Sequence, residues 1–178
     1  MASILDALGE VRRAHIPYYT CDSALLAFRE RSINIVFHGI GQDLLPQLPT
    51  DIQEGEVLVV NDLFGLLGGA IERATERVHA HIIHDDTHAF HVGRRSDRAW
   101  SFNSARKFLG VPDGAFLFAP RECMPPAERN MRVSTDHLVL KSIGAHEEAY
   151  RSYQLNEERM STAPERASVA SEEMLART

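Results

Sequence analysis

The chain of 178 residues is predicted to adopt an α/β fold, with a mostly parallel sheet flanked by helices. Segments rich in β-branched residues alternate with segments whose apolar residues recur at helical spacing, a pattern typical of such folds. In addition, the segment "EVLVVND" at 56–62 is nearly all apolar up to Asn61, as expected of a strand buried on both faces.

The first elements follow from apolar spacing and from capping residues. A helix is predicted over 3–13, and "HIPYYT" then predicts a short strand and a turn. Asp22 or Ser23 can cap a helix over 23–31. The β-branched segment "INIVFHGI" at 33–40 predicts a strand, and a proline-broken connection leads from it to the next strand.

The same reasoning extends to the rest of the chain. The elements that follow are a helix within "GLLGGAIERATERVHA", a strand at 79–84, short strands near 98–103 and 114–119, and a long helix from about 137 to 160. Residues 1–160 are therefore interpreted as one domain. The polar, proline-interrupted tail at 161–178 is expected to lie outside it.

The composition limits the partners of this chain. Its formal net charge of −6 gives no general attraction to nucleic acid or to an anionic membrane. No apolar run approaches the roughly 20 residues that span a bilayer, and the amino terminus lacks the apolar core of a signal peptide. Cys21 and Cys123 have no metal-ligand spacing and are interpreted as free thiols. We therefore expect a cytoplasmic protein that binds neither nucleic acid nor membranes.

Lysine is rare in this chain. Of the 19 basic residues, 17 are arginine, and the two lysines are Lys107 and Lys141. Lysine can lose its proton and attack a carbonyl, whereas arginine cannot, so a retained lysine is a candidate for covalent chemistry. Chance is the alternative for each, and Lys141 is interpreted as a surface charge on the long helix.

Polar residues stand where two predicted strands end. The segment "VVND" ends at Asn61 and Asp62, and "HIIHDD" ends at Asp85 and Asp86. Ligands of parallel sheets gather at the carboxyl ends of the strands, so these residues indicate a site. The alternative interpretation is that they are turn residues, since Asn and Asp are common in turns.

Two segments carry a resemblance to a known family. The segment "HIIHDDTHAF" places Asp85 three residues before His88, and "WSFNSARKFLGVPDGAFLFAP" places Lys107 after a short strand. Together they resemble the central segment of the DegT/StrS-type sugar aminotransferases, which are pyridoxal-phosphate enzymes of fold type I. The resemblance runs from about residue 3 to about 160 and covers part of the large domain of that fold.

The resemblance implies pyridoxal 5'-phosphate as the cofactor. This cofactor works as an electron sink only when its ring nitrogen stays protonated, and Asp85 matches the carboxylate that holds this proton. Lys107 matches the lysine that forms the Schiff base and then moves a proton between substrate and cofactor. His88 matches the position beside the phenolic oxygen, and Asn61 is a weaker candidate for the same contact.

Two further contacts are left open by the resemblance. Either Ser101 or Ser104 is expected to hydrogen-bond the cofactor phosphate. The aromatic residue that stacks on the ring in the family falls at Cys21 in this chain. Tyr18 or Tyr19 is expected to take its place.

The activity implied by the resemblance is transfer of an amino group to a keto-sugar, often nucleotide-linked. Its relatives act as homodimers on small-molecule substrates. Two alternatives stay open. The first, from a different class, is a catalytically silent remnant that serves as a binding or interaction module. The second is one half of a split aminotransferase that needs a complementing chain.

A metal site is the remaining alternative, because five of the nine histidines fall within 79–91. Strand alternation puts His79 and His81 on one face with Asp85, which spreads the side chains along a line. Zinc requires a tetrahedral set of three or four ligands, so no metal site is predicted. His79, His81 and His91 are interpreted as a strand edge. The basic residues Arg94, Arg95 and Arg98 are interpreted as part of a solvated loop, and contact with a sugar-nucleotide phosphate is the alternative.

Overall fold

The structure is a computed structural model and describes residues 1–90, 95–111, 114–120, 123 and 134–161. At its centre is a six-stranded sheet with the order β2-β1-β3-β4-β5-β6. The strands are β1 (Arg13–Pro17), β2 (Asn34–His38), β3 (Val57–Asn61), β4 (His81–Asp85), β5 (Trp100–Phe102) and β6 (Leu117–Phe118). The first five strands are parallel, and β6 is antiparallel to β5. The predicted α/β fold with a mostly parallel sheet is confirmed.

Helices cover both faces of this sheet. The helices of the described chain are α1 (Ala2–Leu8), α2 (Asp22–Glu30), α3 (Gly69–Thr75), α4 (Asp136–Ser142) and α5 (His146–Ser161), and the last two pack against each other. Residues that are registered side by side in parallel strands point to the same face. On one face, Ile83 and Trp100 pack with Phe28 of α2 in the larger core. On the opposite face, Val60 packs with Ile71 of α3 in a smaller core.

Two glycines end helices earlier than the sequence analysis predicts. The helix expected over 3–13 stops at Leu8, because Gly9 has a φ of 76°. The single helix expected over 137–160 is wrong, because Gly144 has a φ of 82° and separates α4 from α5. A left-handed residue at a helix end closes the last turn, and glycine adopts this conformation without steric cost. The chain consequently forms a helical pair in place of one long helix.

The predicted tail at 161–178 lies outside the described residues, except for the backbone of Ser161 at the end of α5. Within the ranges that the structure describes, no helix is both long enough and apolar enough to cross a membrane. Cys21 and Cys123 are both free thiols, as the sequence analysis predicts.

A charged cluster marks the amino end of β3. Glu56 Oε2 lies 2.8 Å from His15 Nε2 and accepts a hydrogen bond of 3.0 Å from the Gln53 N–H. Arg13 Nε lies 3.3 Å from the other carboxylate oxygen. Burial opposes ionisation of Glu56, but the hydrogen bonds from Gln53 and His15 and the charge of Arg13 together lower its pKa. Glu56 is thus held as a carboxylate at the edge opposite to the candidate site.

The strand order places the candidate residues along one edge. Strand β1 lies between β2 and β3, so the direction in which the sheet grows along the chain reverses at β1. In open α/β sheets, ligands bind at such a reversal, beyond the carboxyl ends of the strands. At this edge β3 ends at Asn61, β4 at Asp85 and β5 at Phe102.

Candidate functional site

Asn61 and Asp85 form the centre of the candidate site. They are direct register partners in β3 and β4, so their side chains lie side by side on the same face. Both are buried, with relative exposures of 9% and 5%. Asp85 Oδ1 accepts a hydrogen bond of 3.0 Å from the Thr87 N–H. A buried carboxylate is stabilised by hydrogen-bond donors or by a cation beside it, so this position can hold a protonated ring nitrogen.

Asn61 brings an unused acceptor to this position. Its Nδ2 donates to the backbone carbonyl of Tyr19 at 3.4 Å. Its Oδ1 is buried and has no hydrogen-bond partner among the described residues. Burying an unpaired acceptor costs about 1–3 kcal/mol, so a structure that keeps one beside a buried carboxylate favours a ligand with a donor group there.

The turn after β3, which contains Phe64, contacts the turn after β4, which contains His88. The Phe64 ring stacks on His88, with ring centroids 6.3 Å apart and an interplanar angle of 24°. Phe64 has a φ of 62°, which is uncommon for a residue with a side chain. A Cβ at Gly65 would lie 3.3 Å from the Cβ of Ala89, so the two turns pack too closely for a larger residue to fit freely. Backbone strain of this kind is concentrated at functional sites.

Arg95 ties the same two strand ends together. Its Nη2 lies 2.6 Å from Asp62 Oδ2 and 2.7 Å from Asp86 Oδ1, and its Nε donates to Asp86 Oδ2 at 2.8 Å. The side chains of Arg95, Asp62 and Asp86 are only 5%, 3% and 4% exposed. Burial opposes the charge of Arg95, but Asp86 and then Asp62 raise its pKa, so it stays a cation.

The expectation that Arg95 belongs to a solvated loop is therefore wrong. Asp62 directly follows Asn61, and Asp86 directly follows Asp85, so each of the two strands ends in two consecutive polar residues. This pattern was the feature of the sequence that could have indicated a buried cation. Sequence reasoning could not select Arg95 from its neighbours, because Arg94 and Arg98 offer the same charge. Arg98 is exposed, and Arg94 lies outside the described residues.

Lys107 ends a 3-10 turn, Ala105–Lys107, that begins after the two residues following β5. Its N–H donates to the carbonyl of Ser104 at 3.2 Å, which fixes the start of the turn. The Lys107 side chain is exposed and lines a cavity between this turn and the helices α4 and α5. Asp85 is not among the described residues that line this cavity, so the structure brings Lys107 to the same edge of the sheet without placing it against Asp85.

The two candidate serines occupy different places. Ser101 is the register partner of His84, whereas Asp85 is the partner of Phe102, so Ser101 points to the opposite face from Asp85. Its Oγ is buried without a hydrogen-bond partner among the described residues. Ser104 is half-buried at the start of the Lys107 turn.

The two candidate tyrosines both follow β1 at the carboxyl edge. Tyr18 is 68% exposed and stacks on Phe37, with ring centroids 5.3 Å apart. Tyr19 is 71% exposed and approaches the site through its backbone carbonyl, which contacts Asn61. Its ring is thus available at the surface beside the strand ends.

The histidine-rich segment does not assemble a metal centre in the part of the chain that the structure describes. No group of three or more His, Cys, Asp or Glu side chains there is placed to hold a metal ion. His79 and His81 are exposed, His84 is buried, and His91 lies outside the described residues.

No family model and no curated protein matches this chain. Among solved structures, an aminotransferase from Burkholderia pseudomallei, described as putative, is 18% identical over 86% of the chain, with a TM-score of 0.49. A probable N-succinyldiaminopimelate aminotransferase from Thermus thermophilus is 21% identical over 60% of the chain, with a TM-score of 0.45. A serine palmitoyltransferase from Sphingomonas wittichii is 14% identical over 67%, with a TM-score of 0.48. The chain spans 52%, 35% and 35% of these three structures, respectively, and these values do not assign it to a family.

Proposed function

We propose that this chain is a pyridoxal-phosphate-dependent aminotransferase-like protein. The observation that carries the proposal is the buried Asp85 carboxylate beside the Asn61 oxygen, which has no hydrogen-bond partner among the described residues, at the carboxyl edge of the sheet. The next strand along the sheet, β5, is followed by the turn that carries Lys107. A buried acid for the ring nitrogen and a lysine for the aldehyde are the side chains that this cofactor uses.

The residues present fit the cofactor in three respects. Asp85, as a buried anion, would hold the proton on the ring nitrogen. Asn61 Oδ1 has no donor among the described residues and would accept a hydrogen bond from the phenolic hydroxyl of the cofactor. His88 would lie near the same phenolic oxygen. Ser104, on the turn that carries Lys107, is the better-placed serine for the phosphate. When bound, pyridoxal phosphate supplies an electron sink for the carbon that reacts.

Lys107 has two roles in this proposal. Its Nζ would hold the aldehyde of the cofactor covalently until an amino donor displaces it. The released amine would then take up and return a proton at the reacting carbon of the substrate. Its side chain is exposed and forms no ion pair within the described ranges, so the flexible stem and the ammonium group are free to change position.

The substrate class that we propose is a keto-sugar, with a separate amino donor, on the basis of the resemblance in "HIIHDDTHAF" and "WSFNSARKFLG". The same resemblance implies relatives that act as homodimers, and we propose that this chain acts with a second chain, either an identical copy or a complementing polypeptide.

Absorbance spectroscopy with borohydride trapping tests the proposal. The protein mixed with pyridoxal phosphate should develop a band near the visible edge that borohydride abolishes, and peptide mapping should locate the reduced adduct at Lys107. The scarcity of lysine makes this assignment clear, since Lys141 is the only other one. Lys107→Arg keeps the positive charge but cannot form the bond, and it should show only the spectrum of the free aldehyde. A trapped adduct that maps to Lys141 or to the amino terminus would refute the proposal.

A further inference from the structure

The cavity beside Lys107 is large enough for a small molecule. Its volume is about 540 Å³, within the range of about 300–1,000 Å³ that is usual for ligand pockets. It lies between the turn that follows β5 and the helices α4 and α5. Asn61, Asp85 and His88 do not line it, so it is separate from that part of the candidate site, and Lys107 is the one candidate residue that it shares with the site.

The described lining of this cavity is basic. It contains Arg106, Lys107, Lys141 and two histidines, and among the described residues it contains no Asp or Glu. The guanidinium of Arg106 is compensated by an ion pair with Glu157. Neither lysine forms an ion pair with any carboxylate that the structure describes. Two ammonium groups that have no counter-charge among the described residues therefore line one cavity.

Packing between α4 and α5 holds one wall of the cavity in place. The rings of His137 and Tyr153 meet edge to face, with centroids 5.8 Å apart, and the guanidinium of Arg106 lies 5.8 Å from the centroid of Tyr153. Asn156 is buried behind this wall, where its Nδ2 donates to the Ser134 carbonyl at 3.0 Å and lies 3.3 Å from His137 Nδ1. A wall fixed in this way does not have to be ordered when a ligand binds.

The distribution of lysine supports an anionic ligand. Both lysines of the chain line this cavity, although 17 of the 19 basic residues are arginine. An ammonium group is a compact charge with three rotatable donors and binds phosphate oxygens from many directions. Leu138, Ala149 and Tyr150 add apolar and aromatic surface beside these charges.

We propose that this cavity binds a small organic phosphate. Lys107 and Lys141 hold the phosphate group, and Leu138 and Tyr150 contact a ring attached to it. The inference goes beyond the proposed function, because this binding needs neither Asp85 nor a covalent bond to Lys107.

Isothermal titration calorimetry of the full chain with phenyl phosphate tests the inference. Inorganic phosphate carries only the charge and benzyl alcohol only the ring, so each should bind more weakly than phenyl phosphate. Lys141→Ala should weaken phenyl phosphate binding by at least about tenfold, as expected for loss of a charged hydrogen bond. Arg29→Ala makes the same charge change at an exposed position of α2, outside the cavity, and serves as the matched control.

Two results would overturn the inference. One is phenyl phosphate binding no tighter than either of the partial probes, and the other is an equal loss of affinity in Lys141→Ala and Arg29→Ala. The proposed function fails separately. Phenyl phosphate binding that depends on Lys141, in a chain that forms no borohydride-trapped adduct, would refute only the proposed function. An adduct at Lys107 without phenyl phosphate binding would refute only this inference.

Discussion

Replacing Arg95 by methionine removes the cation that the ends of β3 and β4 share. The substitution keeps a long apolar stem but leaves Asp62 and Asp86, which are 3% and 4% exposed, without their shared counter-charge. Removing one partner of a buried ion pair costs about 3–5 kcal/mol, since an uncompensated charge remains inside. For a chain of this size, a loss of about 1 kcal/mol lowers Tm by roughly 2–4 °C, so we expect a fall of roughly 6–20 °C.

Urea unfolding followed by tryptophan fluorescence measures this loss. Trp100 is the only tryptophan and is 1% exposed in the larger core, so its emission reports unfolding of the sheet. Arg98→Met is the matched control, because Arg98 is exposed three residues away, and its free energy of unfolding should change by less than about 0.5 kcal/mol. Arg95→Lys keeps one positive charge without the fork of donors, and its loss should fall between those of the two methionine variants.

A loss below about 1 kcal/mol in Arg95→Met would refute the reasoning. It would mean that water or a neighbouring group compensates Asp62 and Asp86 as well as the guanidinium does. Equal losses in Arg95→Met and Arg98→Met would show that net charge, rather than the buried pairing, sets the stability.

Three further perturbations test the fold with the same unfolding assay. Leu25→Ala should lower the free energy of unfolding by about 2–5 kcal/mol, because Leu25 is 6% exposed in the core. Leu26 is 44% exposed, so Leu26→Ala should lower it by less than about 1 kcal/mol. Equal losses would contradict the packing of α2. Gly144→Ala should lower the free energy of unfolding by about 1 kcal/mol, because Gly144 has a φ of 82°. Gly110 has open space around it and no positive φ, so Gly110→Ala should leave the free energy of unfolding unchanged. An unchanged free energy in Gly144→Ala would argue against the break between α4 and α5. The pKa of Glu56 is lower in the folded chain than its ordinary value of 4.5, so Glu56 stabilises the fold fully at pH values above 4.5. This stabilisation is lost as the pH falls through the folded-state pKa. Glu56→Gln should therefore flatten the acid side of a plot of stability against pH, and an unchanged plot would refute this contribution.

The sequence alone predicted the class of fold and the order of its elements. Periodicity is a local property, and the nearly continuous apolar run in "EVLVVND" required a central parallel strand, which β3 is. The same pattern placed Asn61 and Asp85 at strand ends. It missed the division into α4 and α5, because an isolated glycine inside a helical pattern does not reveal its φ.

Tertiary structure decided which polar residues meet. Asn61 and Asp85 became neighbours through the register of β3 with β4, and the register of β4 with β5 placed Ser101 on the opposite face. Arg95 acquired its role by burial between two carboxylates that lie 33 and 9 positions away in the chain. Lys107 and Lys141 came to line one cavity because α4 packs beside the turn after β5. Contacts between residues distant in the chain depend on how elements pack, and local spacing in a single sequence carries no information about that packing.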